Sequence, residues 1–288
     1  MRFRVLLLLL LAAAVFAQTR PSSCASCPAW NTPQKAFKIY GNSYYVGTHG
    51  LASVLITSPS GHVLIDGALP ESAPLIAANI RSLGFRVEDI RLIVNSHVHF
   101  DHAGGIAELQ RLSGARVAAG PWTADVMKKG AVPRDDPQFG TIIPIARVAR
   151  VETFRDGETL RAGAVAVTAH FTPGHTPGGT SWTWQSCENS RCLNLVYADS
   201  LTPVSRDGFL FSRDYPHAME DFERSYAFLG STPCDILITP HPDVSNLWQR
   251  LAERGANGDA MIDAGACRVL AERSRELLSK RLAKERGQ

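Results

Sequence analysis

His97-Val98-His99-Phe100-Asp101-His102 sets four metal-competent side chains within six residues, a density that metal binding requires and ordinary packing does not. His97 and His99 are two apart, so in extended chain they point the same way. Asp101 and His102 follow at a turn into Ala103-Gly104-Gly105, so one hexapeptide is able to serve two adjacent metals. Neutral imidazoles and a carboxylate are ordinary zinc donors, and three protein donors plus a water make a catalytic rather than a closed structural site.

The flanks tell what carries the hexapeptide. Arg91-Leu92-Ile93-Val94 before it reads as a buried strand, and Gly105 to Leu112 after it as a helix. Functional groups of layered α/β folds collect at such strand ends. Further upstream, β-rich runs at 37–40, 43–46, 52–56 and 62–66 are parted by Gly41-Asn42, Gly47 and Pro59-Ser60-Gly61, which predicts a meander in one sheet. Helical spacing covers 75–80. The second half repeats the style, with strands expected at 165–168, 180–184, 194–197 and 235–238 and amphipathic helices at 220–229, 246–253 and from about Met261 towards Leu282. Two β-rich halves, each joined to helices, imply an α/β fold of two sheets packed face to face with helices outside.

The 288 residues, 45% of them apolar, suffice for one large domain. Residues 1–17 have the form of a secretory signal peptide, with Arg2 and Arg4, an apolar stretch from Val5, and Val15-Phe16-Ala17 as cleavage site, so the domain is expected over 18–288. The apolar stretch is shorter than the ~20 residues that a membrane span needs. The formal charge of +3 becomes +1 (3 − 2) without Arg2 and Arg4, which gives no electrostatic reason to bind nucleic acid or a membrane surface. A small molecule is the expected partner, and a periplasmic monomer the expected form. An exported chain meets an oxidising compartment, and the six cysteines fall into three couples: Cys24 with Cys27, Cys187 with Cys192, and Cys234 with Cys267. Cys24-Ala25-Ser26-Cys27 also matches a redox C-x-x-C pattern, although it sits in a Pro/Ser-rich arm rather than at a strand-to-helix junction.

Two more histidines close strands. His175 stands in Thr172-Pro173-Gly174-His175-Thr176-Pro177-Gly178-Gly179, and His241 ends the run from Asp235 between Pro240 and Pro242. With the hexapeptide given, they are the most economical source of further ligands. His49, His62, His170 and His217 lack such context and read as surface or packing residues.

These motifs together, with Asp66 closing Leu64-Ile65-Asp66, resemble the metallo-β-lactamase superfamily over nearly all of the chain after residue 17. A ligand set without cysteine, Tyr197-Ala198-Asp199-Ser200-Leu201-Thr202, the segment 181–188, and Cys234 with Cys267 make the chain similar to the subclass B3 enzymes. The resemblance implies a four-layer αβ/βα sandwich with the metals in a shallow groove between its halves. It implies a first zinc on His97, His99 and His175, a second on Asp101, His102 and His241, hence two zinc ions (Zn2+) per chain. The implied activity is hydrolysis of the β-lactam amide of penicillins, cephalosporins and carbapenems by a metal-bound hydroxide, with Asp101 orienting the nucleophile. Ser200 and Thr202 would then hold the substrate carboxylate, Gln138 would meet the lactam carbonyl, and Trp30 would wall the groove. Asp66 would fix the hexapeptide loop by hydrogen bonding rather than touch metal. Some relatives bridge the N-terminal arm to a cysteine where this chain has Val46-Gly47-Thr48-His49-Gly50, a bond His49 cannot make. The main alternative is another exported binuclear hydrolase of the same scaffold, a thioesterase, lactonase or phosphodiesterase, in which an aspartate comparable to Asp199 bridges both metals. A non-catalytic zinc-binding protein is the alternative from another class, and it would need a closed ligand sphere.

Overall fold

The meander foreseen upstream of the hexapeptide forms and then continues into a parallel sheet. A computed structural model describes residues 22–254 and 259–287, so the leader expected over 1–17 lies outside the described residues. After a short helix α1 (Cys27–Trp30) come β1 (Phe37–Tyr40), β2 (Ser43–Tyr45), β3 (Val54–Ile56) and β4 (His62–Ile65), paired antiparallel in sequence order. Helix α2 (Ala73–Ser82) crosses to β5 (Ile90–Val94), which lies parallel to β4. Then follow α3 (Phe100–Ala103), α4 (Ile106–Ser113), β6 (Arg116–Ala119), α5 (Pro121–Lys129) and β7 (Val151–Thr153), completing a seven-stranded sheet in the order β1-β2-β3-β4-β5-β6-β7. The strands β3, β4 and the end of β5 are buried throughout, which is why they read as unbroken apolar runs.

The second sheet holds β8 (Thr159–Ala162), β9 (Val165–Phe171), β10 (Thr180–Glu188), β11 (Arg191–Tyr197) and β12 (Ile236–Ile238), in the order β12-β11-β10-β9-β8. The helices α6 (Phe211–Asp214), α7 (Ala218–Ser231), α8 (Leu247–Ala252) and α9 (Ala266–Arg286) accompany it. One core, with Ile65, Val94, Val167, Trp182 and Leu195, fills the space between the sheets. A second joins the first sheet to α2, α4 and α5 through residues such as Ile76, Leu109 and Met127. A third joins the second sheet to α7 and α9 through Val196, Phe222, Leu237 and Leu270. Three apolar layers between four structural ones are the αβ/βα sandwich.

Several expectations are corrected in detail. The long C-terminal helix starts at Ala266, not near Met261. The turn that carries Asp101 and His102 is the single helical turn α3. β6, α5, β7 and β8 were not foreseen, although Pro121 at the first position of α5 and Gly130 at its end in the left-handed conformation (φ 82°) are ordinary helix punctuation.

All three cysteine couples are disulfides. Cys234–Cys267, 33 residues apart, ties the chain entering β12 to the first turn of α9. Closing a loop of that length removes about 3–4 kcal/mol of unfolded-chain entropy. The double substitution Cys234→Ser/Cys267→Ser is therefore expected to lower the unfolding free energy by about that amount in non-reducing urea titrations. An unshifted midpoint would deny the bond that role.

Candidate metal centre

Strand β5 ends at Val94, and the next two residues are gripped by the opposite sheet before the hexapeptide begins. Trp182 Nε1 donates to Asn95 O at 2.9 Å, and Thr180 N donates to Ser96 O at 2.8 Å. Asp66 completes the grip from the end of β4. It is fully buried and sits at φ 63°, a left-handed conformation that costs a non-glycine residue energy and persists only where its surroundings fix it. Its carboxylate accepts from Ser96 N, Ser96 Oγ and Tyr197 Oη, each at 2.7 Å. These three hydrogen bonds tie the end of β4 to the residue before the hexapeptide and to Tyr197.

On that base the donors converge. One buried group is His97, His99 and His175, and the other is His97, Asp101 and His102, with candidate donor atoms within 4.8 Å of one another in each. His241 joins the second group through Asp101, whose Oδ2 lies 3.2 Å from His102 Nε2 and 3.4 Å from His241 Nε2. His97 Nε2 is buried without a hydrogen-bond partner, an expense that a metal ion would remove. Burial, then the neighbouring His102 and His99, holds His97 well below the usual imidazole range, and burial followed by His99 brings His175 down to about 3. Both rings are therefore neutral at pH 7, the form that offers a lone pair. Burial pushes Asp101 up, but His102 and then His241 outweigh it and hold this carboxyl well below its ordinary range. It is an anion among imidazoles. The donor set fits two divalent ions of borderline softness.

The rings of the first group are each oriented from behind. His97 Nδ1 faces Asp199 Oδ1 at 2.7 Å, His175 Nδ1 faces Thr202 O at 2.9 Å, and His99 Nε2 faces Asp136 Oδ2 at 3.1 Å. Such partners select which nitrogen is left for a metal. Asp199 meets His97 through Oδ1, while its Oδ2 is buried without a hydrogen-bond partner, and Asp136 is a partner that sequence reasoning missed. Its only signal was an acidic pair, Asp135-Asp136, before a proline.

The side chains expected to line a groove have these positions. Gln138 Nε2 is 3.5 Å from His99 Nδ1 and 3.4 Å from His175 Nε2. Ser200 and Thr202 line a cavity of about 50 Å³ with Thr239 and His241. The Trp30 ring lies 5.1 Å from that of His241, so the arm reaches the site without a disulfide to residues 46–50. Thr48 Oγ1 and Gly50 N both donate to Trp30 O, and Ser22 hydrogen-bonds Glu71. The remaining histidines stay out of the donor groups: His49 stacks on Trp248, His62 packs edge-on against Phe85, His170 stacks on Phe228 and His217 is exposed.

Comparison with known proteins agrees with this geometry. Residues 46–187 match the Metallo-beta-lactamase superfamily. The solved structure of Rm3 metallo-beta-lactamase is 53% identical, covers 92% of this chain and 100% of its own, and superposes with a TM-score of 0.90. MEM-A1, a subclass B3 metallo-beta-lactamase isolated from a soil metagenome library, is 50% identical over 90% of this chain and 99% of its own, with a TM-score of 0.88. Hydroxyacylglutathione hydrolase of Rhodopseudomonas palustris (strain BisB5) is 30% identical over 167 residues, 58% of this chain and 53% of that protein. The chain spans about half the length of the curated relatives it matches.

Proposed function

Because the chain belongs to the metallo-β-lactamase superfamily and, within it, to the subclass B3 enzymes, we propose that it hydrolyses the amide bond of β-lactam antibiotics and so confers resistance to them. The observation that carries this reading is the pair of buried donor groups within a fold shared along the whole length of Rm3. His97, His99 and His175 would hold one zinc ion, and Asp101, His102 and His241 the other. Two zinc ions would supply Lewis acidity and water activated near neutral pH.

The protein's own groups do the rest. Anionic Asp101 orients the attacking water and takes part in moving its proton towards the ring nitrogen as the carbon–nitrogen bond opens. Gln138 donates to the lactam carbonyl, Ser200 and Thr202 receive the substrate carboxylate, and Trp30 bounds the groove. A single domain over 18–288, released from a leader at 1–17 and acting as a periplasmic monomer, completes the proposal, and three disulfides support maturation in an oxidising compartment.

The thioesterase alternative is favoured by the hydroxyacylglutathione hydrolase likeness and weakened by Asp199, whose Oδ1 is engaged behind His97. A closed, non-catalytic zinc site would need four protein donors, whereas each candidate group among the described residues holds three. Purified protein is expected to turn over a carbapenem and a chromogenic cephalosporin, to lose that activity in a chelator and to regain it with zinc, while a glutathione thioester control stays near background. Turnover of the thioester alone would overturn the lactamase reading.

A further inference from the structure

The loop of residues 131–149, between α5 and β7, meets the candidate metal centre at Asp136 and Gln138, and one of these side chains links its path to a metal donor. Asp136 is fully buried. Its Oδ2 and Oδ1 lie 3.1 and 3.3 Å from His99 Nε2, and the same Oδ1 accepts Gln138 N–H at 2.8 Å. Its backbone shapes the turn as well: Asp136 N donates to Pro133 O at 3.1 Å and Phe139 N to Asp136 O at 3.0 Å. Two residues on, the Gln138 amide stands 3.4 Å from His175 Nε2. Among the described residues the ion-pair partner of Asp136 is His99.

A carboxylate stripped of water is costly unless something compensates it. Here no lysine or arginine is paired with it among the described residues, and its donors are one imidazole and one amide. An imidazole that gives its other nitrogen to a divalent ion becomes a stronger hydrogen-bond donor, so the compensation is largest when metal is bound. The same oxygen that receives this ring also sets where the backbone of Gln138 begins.

We propose that Asp136 is a positioning residue that couples the loop to the first metal site: it turns His99 so that Nδ1 faces the ion and, through Gln138 N–H, fixes the height at which the Gln138 amide meets substrate. This rests on the proposed function and adds a physical link between metal affinity and substrate recognition. Metal bound at His99 thereby stiffens the loop, and by linkage a loop held in place favours metal.

The test uses the whole mature protein and reads metal directly. Zinc affinity is measured by competition with a chromophoric chelator, and the cobalt(II)-substituted protein supplies a visible spectrum of the site. Asp136→Ala is expected to weaken one of two zinc ions by about 10- to 100-fold, to alter the cobalt spectrum and to raise KM as well as lower kcat. Asp136→Asn keeps the shape and one acceptor oxygen and is expected to fall between Ala and wild type. Gln138→Ala should raise KM with zinc affinity unchanged, separating the two arms of the coupling. Wild-type zinc affinity and an unaltered cobalt spectrum in Asp136→Ala would overturn the proposal. If that variant does not fold, the same two readouts on Asp136→Asn decide. Wild-type protein that binds no metal would overturn the proposed function and this inference together, whereas two tight zinc ions in both wild type and Asp136→Ala would overturn the inference alone.

Discussion

Asp101→Asn is expected to lower kcat by roughly 100- to 10,000-fold while leaving the fold intact. The substitution preserves size and removes charge. Asp101 Oδ2 sits between His102 Nε2 at 3.2 Å and His241 Nε2 at 3.4 Å, and the carboxyl stays anionic despite burial because those two rings outweigh it. An amide there offers a weaker donor to a cation and a poorer acceptor for the proton of an attacking water. Steady-state kinetics at saturating zinc, with zinc content measured on the same sample, separate the two losses. A variant with wild-type kcat would remove Asp101 from the chemistry.

The second large effect concerns the other half of the molecule. His175→Ala deletes one donor of the first group, and turnover is expected to fall at least about 1,000-fold with zinc content moving from two per chain towards one. The protein should remain folded, because His175 lies in the loop after β9 and its ring is held by Thr202 O at 2.9 Å rather than by the core. Circular dichroism and the unfolding midpoint of metal-free protein check that point. Retained turnover would exclude His175 from the site.

Much of this centre was legible in the chain itself, for a physical reason. A hexapeptide with four donors needs no tertiary information to be noticed, and His175 and His241 stood out once a metal was assumed, each set among glycine or proline at a strand end. The groups behind the donors were not legible in the same way. Asp136 and Asp199 acquire meaning from the ring that each one faces, across 37 and 102 residues of sequence. The fold divided similarly. Strands buried on both faces announce themselves, whereas β7 and β8 expose half or more of their residues and carry little apolar signal. Helix α5 carries its signal in its ends, a Gly-Pro opening and a glycine stop, rather than in a long apolar stripe.

The N-terminal arm has a practical corollary. The Trp30 ring lies 5.1 Å from that of His241, and only seven residues separate Trp30 from Ser22. Any peptide fused ahead of Ser22 for purification is thus tethered within a few tens of ångströms of the candidate metal centre. A polyhistidine tail in that position would act as an intramolecular competitor at an effective concentration in the millimolar range. Recombinant preparations carrying such a tail should show apparent zinc constants and inhibitor potencies that change once a protease removes it.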